Sequence, residues 1–182
     1  MKTLFLAFCL LPALAAGQPV PEKRAALDKL LDALGTAPDE QAAARLEAKI
    51  EQSWLRSSTP AVTLLMDRGL HEMQGNAPAE AFMVFSDALV LDPTMAEAWH
   101  QRGVARIQVG DLPGALRDIQ QALTLEPRHF GAWKTLVVIA ERREDWKTAH
   151  DAWTHVLEID PRTPKGEEVL KDLKRKAFGD DT

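Results

Sequence analysis

Three stretches of this chain align: 88-ALVLDP-93, 122-ALTLEP-127 and 156-VLEIDP-161. Their prolines, Pro93, Pro127 and Pro161, follow one another at intervals of 34 residues. Equal spacing across two intervals constrains the fold more than any other feature, because a period of this length marks stacked pairs of helices. Other residues keep the same register. With Pro93 at repeat position 32, position 4 holds Leu65, Trp99 and Trp133, and position 8 holds Gly69, Gly103 and Val137. Position 20 holds Ala81, Ala115 and Ala149, and position 24 holds Phe85, Ile119 and Trp153. Small residues at 8 and 20 let two helices approach closely, and large ones at 4 and 24 fill the space beside them. In the second repeat Gly110 ends one helix, Asp111 caps the next, and Pro113 fits its first turn. The first repeat turns at 75-GNAP-78 by the same logic.

At these diagnostic positions the chain resembles the tetratricopeptide repeat family, over about residues 61–163. The resemblance implies an all-α, right-handed solenoid of three helix hairpins, about 62–95, 96–129 and 130–163. The third departs from the pattern, with Val137 for the position-8 glycine and 141-ERRED-145 for the usual glycine turn. A hairpin has an apolar face that it cannot bury alone, so the ends of a stack need caps. Residues 164–178 read as a C-terminal capping helix, with Val169, Leu170, Leu173 and Phe178 on one side. Residues 22–58 read as a helical hairpin, either an N-terminal cap or a degenerate repeat. Eight or nine helices and no strand are expected from Glu22 onward. The longer string 122-ALTLEPRHFGA-132, with 67-DRG-69, 99-WHQRG-103 and a helical segment ending near Trp54, resembles a subgroup of exported alphaproteobacterial tetratricopeptide proteins.

The opening MKTLFLAFCLLPALAAG reads as a secretory leader: one lysine, a short apolar run, and Ala13 and Ala15 in a cleavage pattern. Cleavage after Ala15, or as late as Gly17, removes the only cysteine, Cys9. The expected product is a thiol-free protein of the Gram-negative periplasm, with no membrane span after cleavage. Its core must hold without disulfides, and about 165 residues suffice for that. Acidic residues outnumber basic ones, 27 to 22, and the cations are scattered, which disfavours nucleic acid as a partner.

The chemistry-bearing residues point to binding rather than catalysis. The five histidines include no H-E-x-x-H pair. A zinc site would have to assemble between helices, so neither metal nor cofactor is expected. The serines lack a nucleophile-elbow setting, and no glycine-rich phosphate loop follows a strand. The family resemblance instead implies a concave groove lined by the first helix of each hairpin. Its candidate lining is Met66, Leu70, Met73 and Gln74, then His100, Val104, Ile107 and Gln108, then Lys134 and Arg142. Such a groove would hold a peptide or partner subunit, or be covered by the N-terminal helices. The lysine–asparagine clamp for a terminal carboxylate is not matched, since position 5 is lysine only at Lys134. The runner-up role is a structural subunit of an envelope complex or a homo-oligomer.

Two other features fall outside the repeat pattern. Arg128 and His129 occupy the linker before the third hairpin without being needed there, and are candidate contacts. Arg68 and Arg102 share repeat position 7, where the family often has leucine, and read as buried ion pairs, with Asp118 or Glu126 as acids for Arg102.

Overall fold

A computed structural model describes residues 21–56 and 59–179. The leader and the extreme C-terminal tail lie outside the described residues. Nine helices occur among those described, and no strand. α1 (Pro21–Gly35) and α2 (Glu40–Leu55) form an N-terminal hairpin. α3 (Pro60–Gln74) with α4 (Pro78–Leu91), α5 (Ala96–Gln108) with α6 (Leu112–Leu125), and α7 (Phe130–Arg142) with α8 (Trp146–Ile159) are the three repeats. α9 (Gly166–Phe178) follows and packs on α8.

Local chemistry sets the helix limits. Asp39, Thr59, Asp111 and Asp145 accept backbone N–H groups at the starts of α2, α3, α6 and α8. The turn inside each repeat needs one left-handed residue. It is Gly110 in the second, but Asn76 rather than Gly75 in the first, and Glu144 in the third. The ERRED turn therefore makes the same bend as the glycine turn, with a side chain placed where glycine is easier.

The linkers repeat a device that the proline spacing only hinted at. The acid before each proline folds back on the residue after it. Asp92, Glu126 and Asp160 accept the N–H groups of Thr94, Arg128 and Arg162, each at 3.1 Å. The Trp99 and Trp133 indoles then donate to the carbonyls of Pro93 and Pro127, each at 2.9 Å. In the third repeat Trp153 turns instead to the Gly166 carbonyl at 2.8 Å and ties on α9.

Packing follows the register. Gly69 lies so close to Phe85 that a Cβ there would stand 2.4 Å from the ring. Ala81, Phe85, Ala88, Ala98 and Ala105 form the core between the first two repeats. Ala115, Ile119, Ala122 and Ile139 continue it, and Val137, Ala149, Ala152 and Leu173 close it against α9. Phe178 departs from its expected place. It is exposed and meets His150 edge-on, because α9 outruns the surface that it covers.

The N-terminal hairpin caps the repeats from the side, with Leu55 at its end packed on the first core cluster. Its main contacts are α1 with α8 and α2 with α5, and neither helix makes a comparable contact with α3. It lies along the concave side of the repeats. α1 crosses the linkers, with Arg24 on Glu126 (2.7 Å) and Asp28 and Asp32 on Arg128. The following turn receives Arg162 on the Ala37 carbonyl. α2 lies over the first helices of the second and third repeats, with Glu47 on Lys134 at 2.8 Å. Leu27, Leu31, Leu34, Ile50 and Trp54 bury an apolar face there together with Phe130.

Candidate functional site

Most of the residues expected to line the groove pack into the repeats' own core, and the hairpin covers part of the rest. Met66 is fully buried, in one cluster with Phe85 and Ala98, and Ile107 is buried between the second and third repeats. Leu70 and Met73 pack partly on the first core cluster, and Val104 is half-buried. Lys134 is held by Glu47 and lies over the Phe130 ring. Gln74, Gln108 and Arg142 are exposed, and the Arg142 guanidinium reaches the Ile107 carbonyl. The ten residues thus do not form one accessible surface. The sequence showed the hairpin but not that its docking depends on contacts about 90 to 100 residues away in the chain.

The two linker residues also turn inward. Arg128 is engaged by Asp28 and Asp32, which hold its guanidinium charged against the cost of burial. His129 is 1% exposed and stacks under Trp54 at 4.0 Å between ring centres. Its Nδ1 accepts the Ala132 N–H at 3.2 Å, so it caps α7. That bond puts the ring proton on Nε2, which donates to Glu97 Oε2 at 2.8 Å. Burial holds the His129 pKa below the usual histidine value, against the pull of Glu97.

His100, expected on the groove, joins the same cluster. The Thr135 hydroxyl donates to the Gly131 carbonyl at 2.9 Å and accepts His100 Nε2–H at 3.0 Å. His100 Nδ1 is then left buried without a hydrogen-bond partner, 3.6 Å from Glu97 Oε1. Glu97 is 6% exposed and also accepts from Gln101 at 2.6 Å. Burial would raise the Glu97 pKa, but the two imidazoles beside it, His129 through a hydrogen bond, overcome it and hold the carboxyl well below the usual range. Gly131 lies against both rings, with no side chain to push His100 away. Glu97, which anchors this cluster, is not among the ten groove residues named above from sequence. Its signal was the run 97-EAWH-100, an i,i+3 pair on one helix face.

The two position-7 arginines differ. Arg102 makes a two-point contact with Asp118, at 2.9 and 2.7 Å, and Asp118 is buried. Arg68 is not buried: its side chain is 66% exposed and only loosely paired with Glu72. The residue matching Asp118 one repeat earlier is Val84, so Arg68 has no acid to draw it inward.

The model of the tetratricopeptide repeat matches residues 96–129, the second repeat. A TPR repeat-containing protein of Rhizobium etli is 30% identical over 165 residues, spanning 89% of this chain and 78% of that protein. The chain belongs to the tetratricopeptide repeat family. Solved structures share the fold. The crystal structure of MamA superposes with a TM-score of 0.61 at 20% identity, covering 88% of this chain and 85% of that one. The Sgt2 TPR domain of Aspergillus fumigatus gives 0.60 at 23%, covering 65% and 80%. The first TPR of Spaghetti (RPAP3), bound to an HSP90 peptide, gives 0.59 at 17%, covering 63% and 90%.

Proposed function

We propose that the chain is a non-catalytic protein-interaction module of the Gram-negative periplasm, and that its partner docks on the first repeat rather than along the whole groove. The observation that carries this is the uncovered end of the stack. Repeat position 3 is alanine and fully buried in the second and third repeats, at Ala98 and Ala132, where the preceding repeat covers it. In the first repeat the same position is Leu64, 70% exposed. Met83, Val90 and Leu91 are exposed on the neighbouring helix, so this one repeat exposes four large apolar side chains. Export rests on the N-terminal leader pattern and on the resemblance of the LEPRHFGA segment. Among the described residues no helix is long and apolar enough to cross a membrane. The peptide bound by the RPAP3 domain supports protein binding as the family's mode.

The test is photocrosslinking from position 64 in cells, beside a variant Leu64→Asp. A partner protein trapped from position 64, and lost in Leu64→Asp at an unchanged melting temperature, is the expected result. Normal partner capture by Leu64→Asp contradicts it. The same bare end also favours a structural subunit, whose signature is crosslinks only to other copies of this chain.

A further inference from the structure

Glu97, His100 and His129 bring one donor atom each within 4.8 Å of one another, the one such trio of buried groups among the described residues. We propose that they form a binding site for a borderline divalent transition metal, of which zinc is the type. This goes beyond the partner-binding reading and does not depend on it.

Four observations carry it. First, the cluster lacks one positive group. His129 donates to Glu97 Oε2, but His100 directs a bare, buried Nδ1 toward Glu97 Oε1. Second, the spacing suits a metal better than a proton. A charge-assisted hydrogen bond would close to about 2.7–2.9 Å, whereas metal bonds of about 2.0–2.1 Å in a tetrahedron set donor atoms about 3.3 Å apart. The His100 Nδ1–Glu97 Oε1 distance, 3.6 Å, lies nearer that value than a hydrogen-bond length, whereas the His129 Nε2–Glu97 Oε2 distance, 2.8 Å, is that of a hydrogen bond and must open. Third, His100 is oriented as a ligand: Thr135 takes its Nε2–H and leaves Nδ1 free. Fourth, the repeat does not need these residues. The matching positions one repeat earlier are Thr63, Met66 and Met95, and there both methionines are simply buried.

Binding requires one rearrangement. The metal takes the His129 Nε2 lone pair, so the single ring proton moves from Nε2 to Nδ1 and the Ala132 N–H loses its cap. Two imidazole nitrogens and one carboxylate favour zinc, nickel or copper over magnesium or calcium. Trp54, stacked on His129, closes the site from the hairpin side, so the metal would tie the hairpin to the second repeat.

The test titrates tag-free, chelator-treated protein with zinc by calorimetry at pH 7.5, with melting temperature as a second readout and cobalt absorption as a third. The expected result is one zinc per chain, a raised melting temperature, and a tetrahedral cobalt spectrum. His100→Met, copied from Met66 of the first repeat, keeps the fold and abolishes all three. No heat and no shift in the parent protein overturn the proposal. So does undiminished binding by His100→Met, which would place the ion on another histidine, such as exposed His71 or His155.

Discussion

Asp118 balances two arginines, and that makes it the most sensitive polar residue in the repeats. Arg102 contacts it at two points, and Arg106 Nε lies 3.1 Å away as an ion pair without hydrogen-bond alignment. Asp118→Ala leaves Arg102 partly buried without a carboxylate, while Arg106 keeps Asp111 at 3.2 Å, so it should cost about 3–5 kcal/mol in urea unfolding. A loss below about 1 kcal/mol would show that the pair is solvated. The glycines offer a second contrast. At Gly69 an added Cβ meets the rigid Phe85 ring at 2.4 Å, but at Gly103 it meets the flexible end of Ile119 at 2.9 Å. Gly69→Ala should cost about 1–3 kcal/mol, and Gly103→Ala clearly less. Equal losses would mean that both contacts relax. Position 7 was legible as paired arginines, yet their fates diverge because position 23 is Asp118 in one repeat and Val84 in the other. That difference was readable, but only by testing the partner position as well as the arginine.

Helix limits followed from capping residues and prolines, so the elements themselves were largely legible. What each helix covers was less so. The leucine stripe of α1 identifies an apolar face and cannot say which surface receives it. Trp54 was read as the end of an amphipathic helix, and the structure makes it the contact between hairpin and repeats, over His129 and Phe130. Trp54→Ala should cost about 3–5 kcal/mol locally. In hydrogen exchange α1 and α2 should lose protection, while α4 to α8 keep theirs. Uniform loss across all helices would mean that the hairpin and the repeats unfold as one unit. The ion pairs that flank Trp54 are secondary. Arg128, Asp28 and Asp32 are all partly exposed, so Arg128→Ala should cost about 1 kcal/mol or less.

A stack of repeats has contacts only between neighbours, and this molecule departs from that rule. Its N-terminal hairpin spans the linkers after the first, second and third repeats, from Lys23 near Asp92 to Ala37 on Arg162. The periodic sequence predicts the stack and is silent about this lengthwise contact, which has no period. The consequence is functional. Of the two states expected for the groove, open or covered by the N-terminal helices, the structure shows partial cover, with Glu47 on Lys134, and Leu64 stands out as an exposed apolar side chain. The most direct test of that architecture is zero-length carbodiimide crosslinking of the purified monomer, read by peptide mass spectrometry. The ammonium of Lys134 and the carboxylate of Glu47 lie 2.8 Å apart, so the account predicts an intramolecular amide between them. Links from α2 to α3 without the Glu47–Lys134 product would contradict it, because they would put the hairpin back on the stack as a fourth repeat.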